Sequence, residues 1–349
     1  MSIDSALTPV ATESADRRVC VFGAYGHTGR FVVARLLQRG WLPVLSGRDA
    51  VRLQALAAAF PQSPVRVASV DDPSSLDGAL EGTVAVINCA GPFSETAEAV
   101  IQAALRAGAH YLDTAAEQQP VLAAFDRHAE AAVRAGIAVV PAMAFYGGLA
   151  DLLASAAMQG WSEADSLDIA IALDSWHPTE GTRITGQRNT ARRLTIAGGV
   201  LQPLSDPPAQ RAWRFDGAFG EQAMVAVPFS EMSLISRHLR VQRAESFLNL
   251  APLRDVRDPS TPTPVAADAS GRSDQVFAIE VSARRNGSER KLSAQGRDIY
   301  AVTAPLMVEA LERIVDGRSR GAGVWAPGAT FDARDFIASL APHDLQWSA

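Results

Sequence analysis

From Arg18 to about Pro141, short apolar runs recur every 19 to 27 residues: VCVF (19–22), PVLS (43–46), VRVASV (65–70), VAVIN (84–88), HYLD (110–113) and IAVVP (137–141). Between them lie stretches with a helical repeat, such as Arg30–Arg39, closed by Gly40, and Ala50–Ala59, opened by the N-cap candidate Asp49. Strands alternating with helices at this spacing form βαβ units with right-handed crossovers, and their strands make a parallel sheet.

The first of these strands runs into VCVFGAYGHTGRFVV (19–33), where Gly23, Gly26 and Gly29 are spaced three apart before a helical run. In a dinucleotide-binding turn each glycine has a mechanical task. Gly23 permits the sharp turn, Gly26 lets backbone amides approach a pyrophosphate, and Gly29 lets the helix lie close to the sheet. The helix N-terminus then faces the phosphates with partial positive charge. Tyr25, His27 and Thr28 fill the loop between the glycines and join the candidate contacts. A bare structural turn is the competing reading, and the flanking strand, helix and further βα units weigh against it.

Nineteen residues after Gly29, at the tip of the second strand, stands Arg48 in VLSGRD. That position reads the adenosine ribose. Ser46 and Arg48 suit a 2′-phosphate through charge-assisted bonds, which favours NADP over NAD. The alternative has Arg48 solvated and Asp49 holding a free diol. Asp71, after the third strand, is a candidate adenine contact, although DDPSSL also reads as a helix cap on Asp71 or Asp72. The fourth strand ends in Asn88-Cys89-Ala90-Gly91-Pro92. Its small residues Ala90, Gly91 and Pro92, with Asn88, lie where the strand order of an open parallel sheet reverses and ligands bind.

After Asp151 the pattern changes. Leu152–Met158 reads as one more helix, followed by the strand-like runs 166–173, 211–215, 224–229 and 275–283, which suggest a mainly antiparallel α+β unit. Within it Ala251–Asp274, rich in Pro, Ser, Asp and Thr, reads as a long loop, either a lid or a disordered connection. Val302–Asp316 is helical again and is expected to pack back on the first domain. The fold class is therefore α/β: an N-terminal Rossmann-type doubly wound sheet (17–150), an inserted α+β domain for substrate or dimer contacts (151–299) and C-terminal helices returning to the first (300–349). Residues 1–16 form a flexible tail.

With 349 residues, 48% of them apolar, the chain has the material for two domain cores. A net charge of -6 argues against nucleic acid and anionic membranes. Cys20 and Cys89 lie inside strand-like runs and read as small core residues of a reducing compartment. The six histidines lack ligand spacing, so no metal is implied. The N-terminus lacks a signal-peptide pattern and no apolar run is long enough to span a bilayer, from which a soluble cytoplasmic protein is expected.

The elements GAYGHTGR, LSGRD, NCAGPF and HYLDTAAE, with GRDIYAVTAPLMVEAL and GVWAPGATFDARDFIASL near the end, resemble the saccharopine dehydrogenase-like oxidoreductases. The resemblance covers most of 18–150 and 296–340. It implies a nicotinamide-binding first domain, a second domain with substrate and dimer contacts, and a homodimer. Its chemistry spans imines, amino acids and carbon–carbon double bonds. Tyr25, His27 and PAMAFYGGLAD (141–151) depart from the usual pattern, at a place expected to lie where nicotinamide and substrate meet.

In such an enzyme the protein binds, orients and supplies a proton or a partner for an oxyanion. A Tyr-x-x-x-Lys dyad is ruled out, since the single lysine is Lys291 and position 287 is Gly. Tyr146, beside Gly147 and Gly148 past the sixth strand, is a candidate proton donor or a structural aromatic. Asp113 and Glu117 follow the fifth strand, to orient nicotinamide, bind an amine or cap a helix. His177, six residues before Arg183, is the other catalytic candidate, with Arg183 for a substrate carboxylate. An otherwise solvated loop is its alternative. The leading function is an NADPH-dependent reductase or dehydrogenase acting on C=N, C=O or activated C=C of a small molecule. The rival is a non-catalytic NADP-binding or redox-sensing protein.

Overall fold

The computed structural model describes residues 17–348, so the expected tail over 1–16 lies outside the described residues. The first domain is built from β1 (Arg18–Phe22), α1 (His27–Gln38), β2 (Leu42–Gly47), α2 (Ala50–Ala57), β3 (Val65–Val67), α3 (Pro73–Leu80), β4 (Ala85–Asn88), α4 (Phe93–Ala107), β5 (His110–Asp113), α5 (Gln118–Ala135) and β6 (Ala138–Val140). Period-two alternation explains its double winding. In β1, Val19 and Val21 join the cluster under α1 and α2, whereas Cys20 and Phe22 join the one under α3, α4 and α5.

After a π-helical turn over 145–149 come α6 (Ala150–Ala157), β7 (Ala164–Leu173), α7 (Glu180–Arg188), β8 (Leu194–Ala197), β9 (Val200–Pro203), β10 (Gln210–Arg214), β11 (Glu221–Ala226), α8 (Ser230–Ile235), β12 (Val241–Asn249), α9 (Leu250–Arg257), β13 (Val276–Arg285) and β14 (Ser288–Arg297). The chain ends with α10 (Thr303–Val315), β15 (Gly323–Val324), α11 (Pro327–Thr330), α12 (Ala333–Leu340) and β16 (Gln346–Ser348). The parallel sheet has the order β15-β6-β5-β4-β1-β2-β3, and the reversal between β1 and β4 opens the crevice in which such sheets bind ligands.

The second sheet runs β10-β11-β12-β7-β13-β14-β16, with the β8–β9 hairpin on β12. It is mixed: β7 pairs parallel to β12 and antiparallel to β13. The expected loop over 251–274 begins as helix, since α9 runs to Arg257. Beyond it Asp258 and Asp268 close tight turns by accepting from the amides of Ser260 and Ser270, each at 2.8 Å. The C-terminal segment returns to the first domain, where Glu312 of α10 accepts from Trp41 Nε1 at 3.2 Å and pairs with Arg39. Among the described residues no helix is long and apolar enough to cross a membrane.

Candidate active site

The glycine turn is held by backbone. The amides of Gly23 and Ala24 both donate to the Ser46 carbonyl, at 2.8 and 3.1 Å, tying β1's exit to β2. Gly23 has φ +84°, and a Cβ there would stand 2.8 Å from the Ala90 amide nitrogen, so neither its conformation nor its space admits a side chain. Helix α1 starts at His27 with no side-chain cap and no acid in its first turn, which leaves its N–H groups for an anion. These features fit a dinucleotide pyrophosphate.

Arg48 is exposed at the tip of β2, and Asp49 Oδ1 accepts from the Arg52 amide at 3.0 Å as the N-cap of α2. Capping uses the acid that was the candidate for a free diol. Ser46 corrects an expectation: its side chain is fully buried inside the strand, so only its carbonyl serves the turn. Asp71 is exposed and bonded to Ser69, while Asp72 caps α3. Tyr25 is also reassigned. It lies over Gly47 with the Arg52 guanidinium 4.6 Å from its ring, on the β2 side of the crevice and away from the expected nicotinamide edge. His27 instead meets Phe31 and Tyr300 edge-on, each at 5.3 Å, and its Nε2 is buried without a partner. Burial pushes its pKa below the usual imidazole range.

At β4, Asn88 works inward. It accepts from the Ala90 amide at 3.0 Å and donates to Thr96 and Tyr111, so it shapes the Ala90-Gly91-Pro92 turn from beneath. Asp113 is likewise placed below the site. Oδ1 accepts from the amides of Ala115 and Ala142, Oδ2 from the Tyr111 hydroxyl, and burial lifts its pKa to about 6. Oδ1 thus joins the ends of β5 and β6, while Oδ2 is held within β5. Glu117 does not cap its own helix with its side chain. It accepts from the Phe93 amide at 2.9 Å, at the start of α4. Burial raises both thiols, Cys20 to about 12, which disfavours the thiolate in each.

The carboxyl ends of β4, β5 and β6 open into a cavity of about 710 Å³, walled on its far side by α7, α9 and β11. Thr28, at the first turn of α1, also lines it, so the cavity adjoins the phosphate turn. Tyr146 stands in its wall, stacked on Phe229 at 4.1 Å and tilted against Trp176 at 5.6 Å. The residue is 8% exposed, and its hydroxyl is buried with no hydrogen-bond partner. Its position comes from the π-helical turn, in which the Leu149 amide reaches back to the Ala144 carbonyl at 3.1 Å. Gly147 packs against Ala142 and Ser230 so closely that a Cβ would lie 2.7 Å from Ser230 Oγ.

His177 does not line the cavity, and only its carbonyl is engaged, by the Tyr300 hydroxyl at 3.4 Å. The neighbouring Trp176 takes the inward place because its indole N–H donates to Tyr300 at 3.0 Å. Arg183 spends its donors on the carbonyls of Asp258 and Thr261, which removes it as a carboxylate receptor. Sequence reasoning missed Trp176, Arg193, Phe229, Glu231 and Tyr300. They come from separate segments with no local motif; the rarity of large aromatics in this chain, 7% of residues, marks only Trp176, Phe229 and Tyr300.

Glu231 is fully buried, both oxygens accept from the Phe229 amide, and burial raises its pKa to about 7, against a weaker opposing pull from Arg193. The folded protein thus holds a proton that the unfolded chain releases near the ordinary carboxylate range. The stability this gives is full at low pH and lost as pH rises through about 7. Glu231→Gln keeps an acceptor for Phe229 but cannot ionise. Thermal melts from pH 5 to 8 are expected to show the variant gaining on the parent by on the order of 2 kcal/mol, and parallel curves would contradict this.

The family model for the saccharopine dehydrogenase NADP binding domain matches residues 19–140. Saccharopine dehydrogenase-like oxidoreductases of Rattus norvegicus and Homo sapiens are 27% and 28% identical over 161 residues, 41% of this chain and 38% of theirs. A probable mitochondrial saccharopine dehydrogenase-like oxidoreductase of Arabidopsis thaliana is 33% identical over 114 residues, 28% of this chain and 25% of that one. The matched stretch thus spans well under half of these relatives' length. Among solved structures, apo saccharopine dehydrogenase (L-Glu forming) from Saccharomyces cerevisiae aligns over 95% of this chain and all of that one, with a TM-score of 0.65 at 13% identity, a likeness of fold. Residues 19–140 are therefore similar to the saccharopine dehydrogenase NADP binding domain, and the chain as a whole shares the fold of the yeast saccharopine dehydrogenase.

Proposed function

We propose that the protein is an NADP(H)-dependent oxidoreductase that reduces, or forms, a C=O, C=N or activated C=C bond of a small molecule. The observation that carries this reading is the unpaired Tyr146 hydroxyl in the wall of a cavity adjoining the phosphate turn. A buried hydroxyl without a partner costs about 1–3 kcal/mol, and a substrate oxygen or nitrogen that reaches it as the aromatic wall yields relieves that cost.

The nicotinamide supplies or takes the hydride when bound. The chain's own residues do the rest. The first turn of α1 and the Gly23 backbone hold the pyrophosphate, and Arg48 pairs with the 2′-phosphate. Tyr146 donates a hydrogen bond to the substrate heteroatom as negative charge grows there, with the aromatic wall excluding water. Burial pushes the phenol's pKa well above its ordinary value, so the hydroxyl is protonated in the resting protein and acts as a donor in the reductive direction.

NADPH titration by fluorescence tests the cofactor assignment. Arg48→Gln is expected to weaken NADPH binding about 10- to 100-fold, as loss of a hydrogen bond to a charged group predicts, while NADH affinity changes less than about twofold. Equal affinity of the parent for NADH and NADPH would overturn the choice of NADP. NADPH binding without oxidation across a panel of imines, enones and ketoacids would favour the non-catalytic alternative.

A further inference from the structure

The acidic and basic residues around the cavity are unequal: Glu117 is the one acid in its lining, against Arg183, Arg193 and Arg257. Glu117 is engaged by backbone amides, Arg183 is engaged by carbonyls, and Arg257 is exposed. Arg193 differs from all of these. One of its terminal nitrogens donates to the Pro228 carbonyl at 2.5 Å, which fixes the side chain, and its guanidinium lies 4.7 Å from the Phe229 ring centre. No carboxylate stands within salt-bridge distance of it among the described residues. The nearby Glu231, whose two oxygens share the Phe229 amide, attracts Arg193 from beyond salt-bridge distance. Arg193 is half-buried, and a partly desolvated cation without an ion-pair partner is stabilised by an anionic ligand.

Next to this cation are the stacked rings of Tyr146 and Phe229 and the indole of Trp176, with Val227 and Leu253 also lining the space. Such a surface selects a flat apolar body, and a planar guanidinium selects a carboxylate by a two-point hydrogen bond. We infer that Arg193 anchors the substrate carboxylate, and that the substrates are flat, apolar monocarboxylates seated in the Tyr146–Trp176–Phe229 cage. The inference rests on the oxidoreductase reading for the identity of the cavity as a substrate site.

Calorimetric titration in the presence of NADP tests it with three acid and amide pairs: cinnamate and cinnamamide, phenylacetate and phenylacetamide, octanoate and octanamide. The acid of at least one aromatic pair is expected to bind ten-fold or more tighter than its amide, and more tightly than octanoate. Arg193→Gln is expected to erase the acid preference, and Arg193→Lys to keep part of it. NADPH affinity stays unchanged in both variants. Absence of acid preference in all three pairs with the parent protein, or its persistence in Arg193→Gln, overturns the inference. Loss of NADPH binding by the parent overturns the cofactor reading instead, so the two failures are distinguishable.

Discussion

Gly29→Ala is expected to weaken NADPH binding by about 10- to 100-fold, because α1 lies directly on the turn that precedes it. A Cβ at position 29 would sit on the Gly23 carbonyl oxygen and 2.9 Å from that of Ala24, both backbone atoms that no rotamer change can move. Relief comes only by lifting the helix off the turn, which carries its N–H groups away from the phosphates. Strain of about 1–3 kcal/mol is typical of such overpacking. Gly78→Ala is the control, since a Cβ in that helix meets nothing within 4 Å. It is expected to bind NADPH as the parent does and to melt slightly higher. Fluorescence titration and thermal melts read both effects, and parent-like NADPH binding by Gly29→Ala would refute the assigned turn.

Tyr146→Phe gives the other large effect, with two signatures of opposite sign. Turnover is expected to fall about 10²- to 10⁴-fold, the range for losing a positioned proton or hydrogen-bond donor. The melting temperature is expected to rise, since the variant deletes a buried hydroxyl that the ligand-free protein leaves unpaired and keeps the ring stacked on Phe229. A purely structural tyrosine would show the gain in stability without the loss of rate. Because burial holds the phenolic proton well above the ordinary range, the parent's rate is expected to show no tyrosine limb up to about pH 10.

The first domain was legible because its central strands are buried on both faces and so read as continuous apolar runs between helices of a different period. Its glycine turn was legible for a related reason, since close backbone approach excludes side chains and leaves a local mark. The second domain was harder. β12 carries Arg243 and Glu245 and β14 carries Arg290 and Lys291, so charge interrupts the apolar pattern on strands that nonetheless pair along their length. α9 was concealed by Pro252 in its first turn, a position at which proline is compatible with a helix. The cavity left no pattern at all. Tyr146, Trp176, Arg193, Phe229 and Tyr300 meet only through the chain's long-range path, and His177 was favoured over Trp176 by chemistry alone, when the Tyr300 hydroxyl decides which of the two faces inward.

The five residues 145–149 make a wider turn than the α-helix that follows, with one residue more than an ordinary turn accommodates. Such a turn is equivalent to a single inserted residue. Deleting one position there would restore regular helix and rotate everything on one side of the cut by about 100° relative to the other, carrying the phenol out of the cavity wall. A one-codon insertion or deletion therefore separates a chain that presents this hydroxyl from one that keeps the same two sheets and has no donor there.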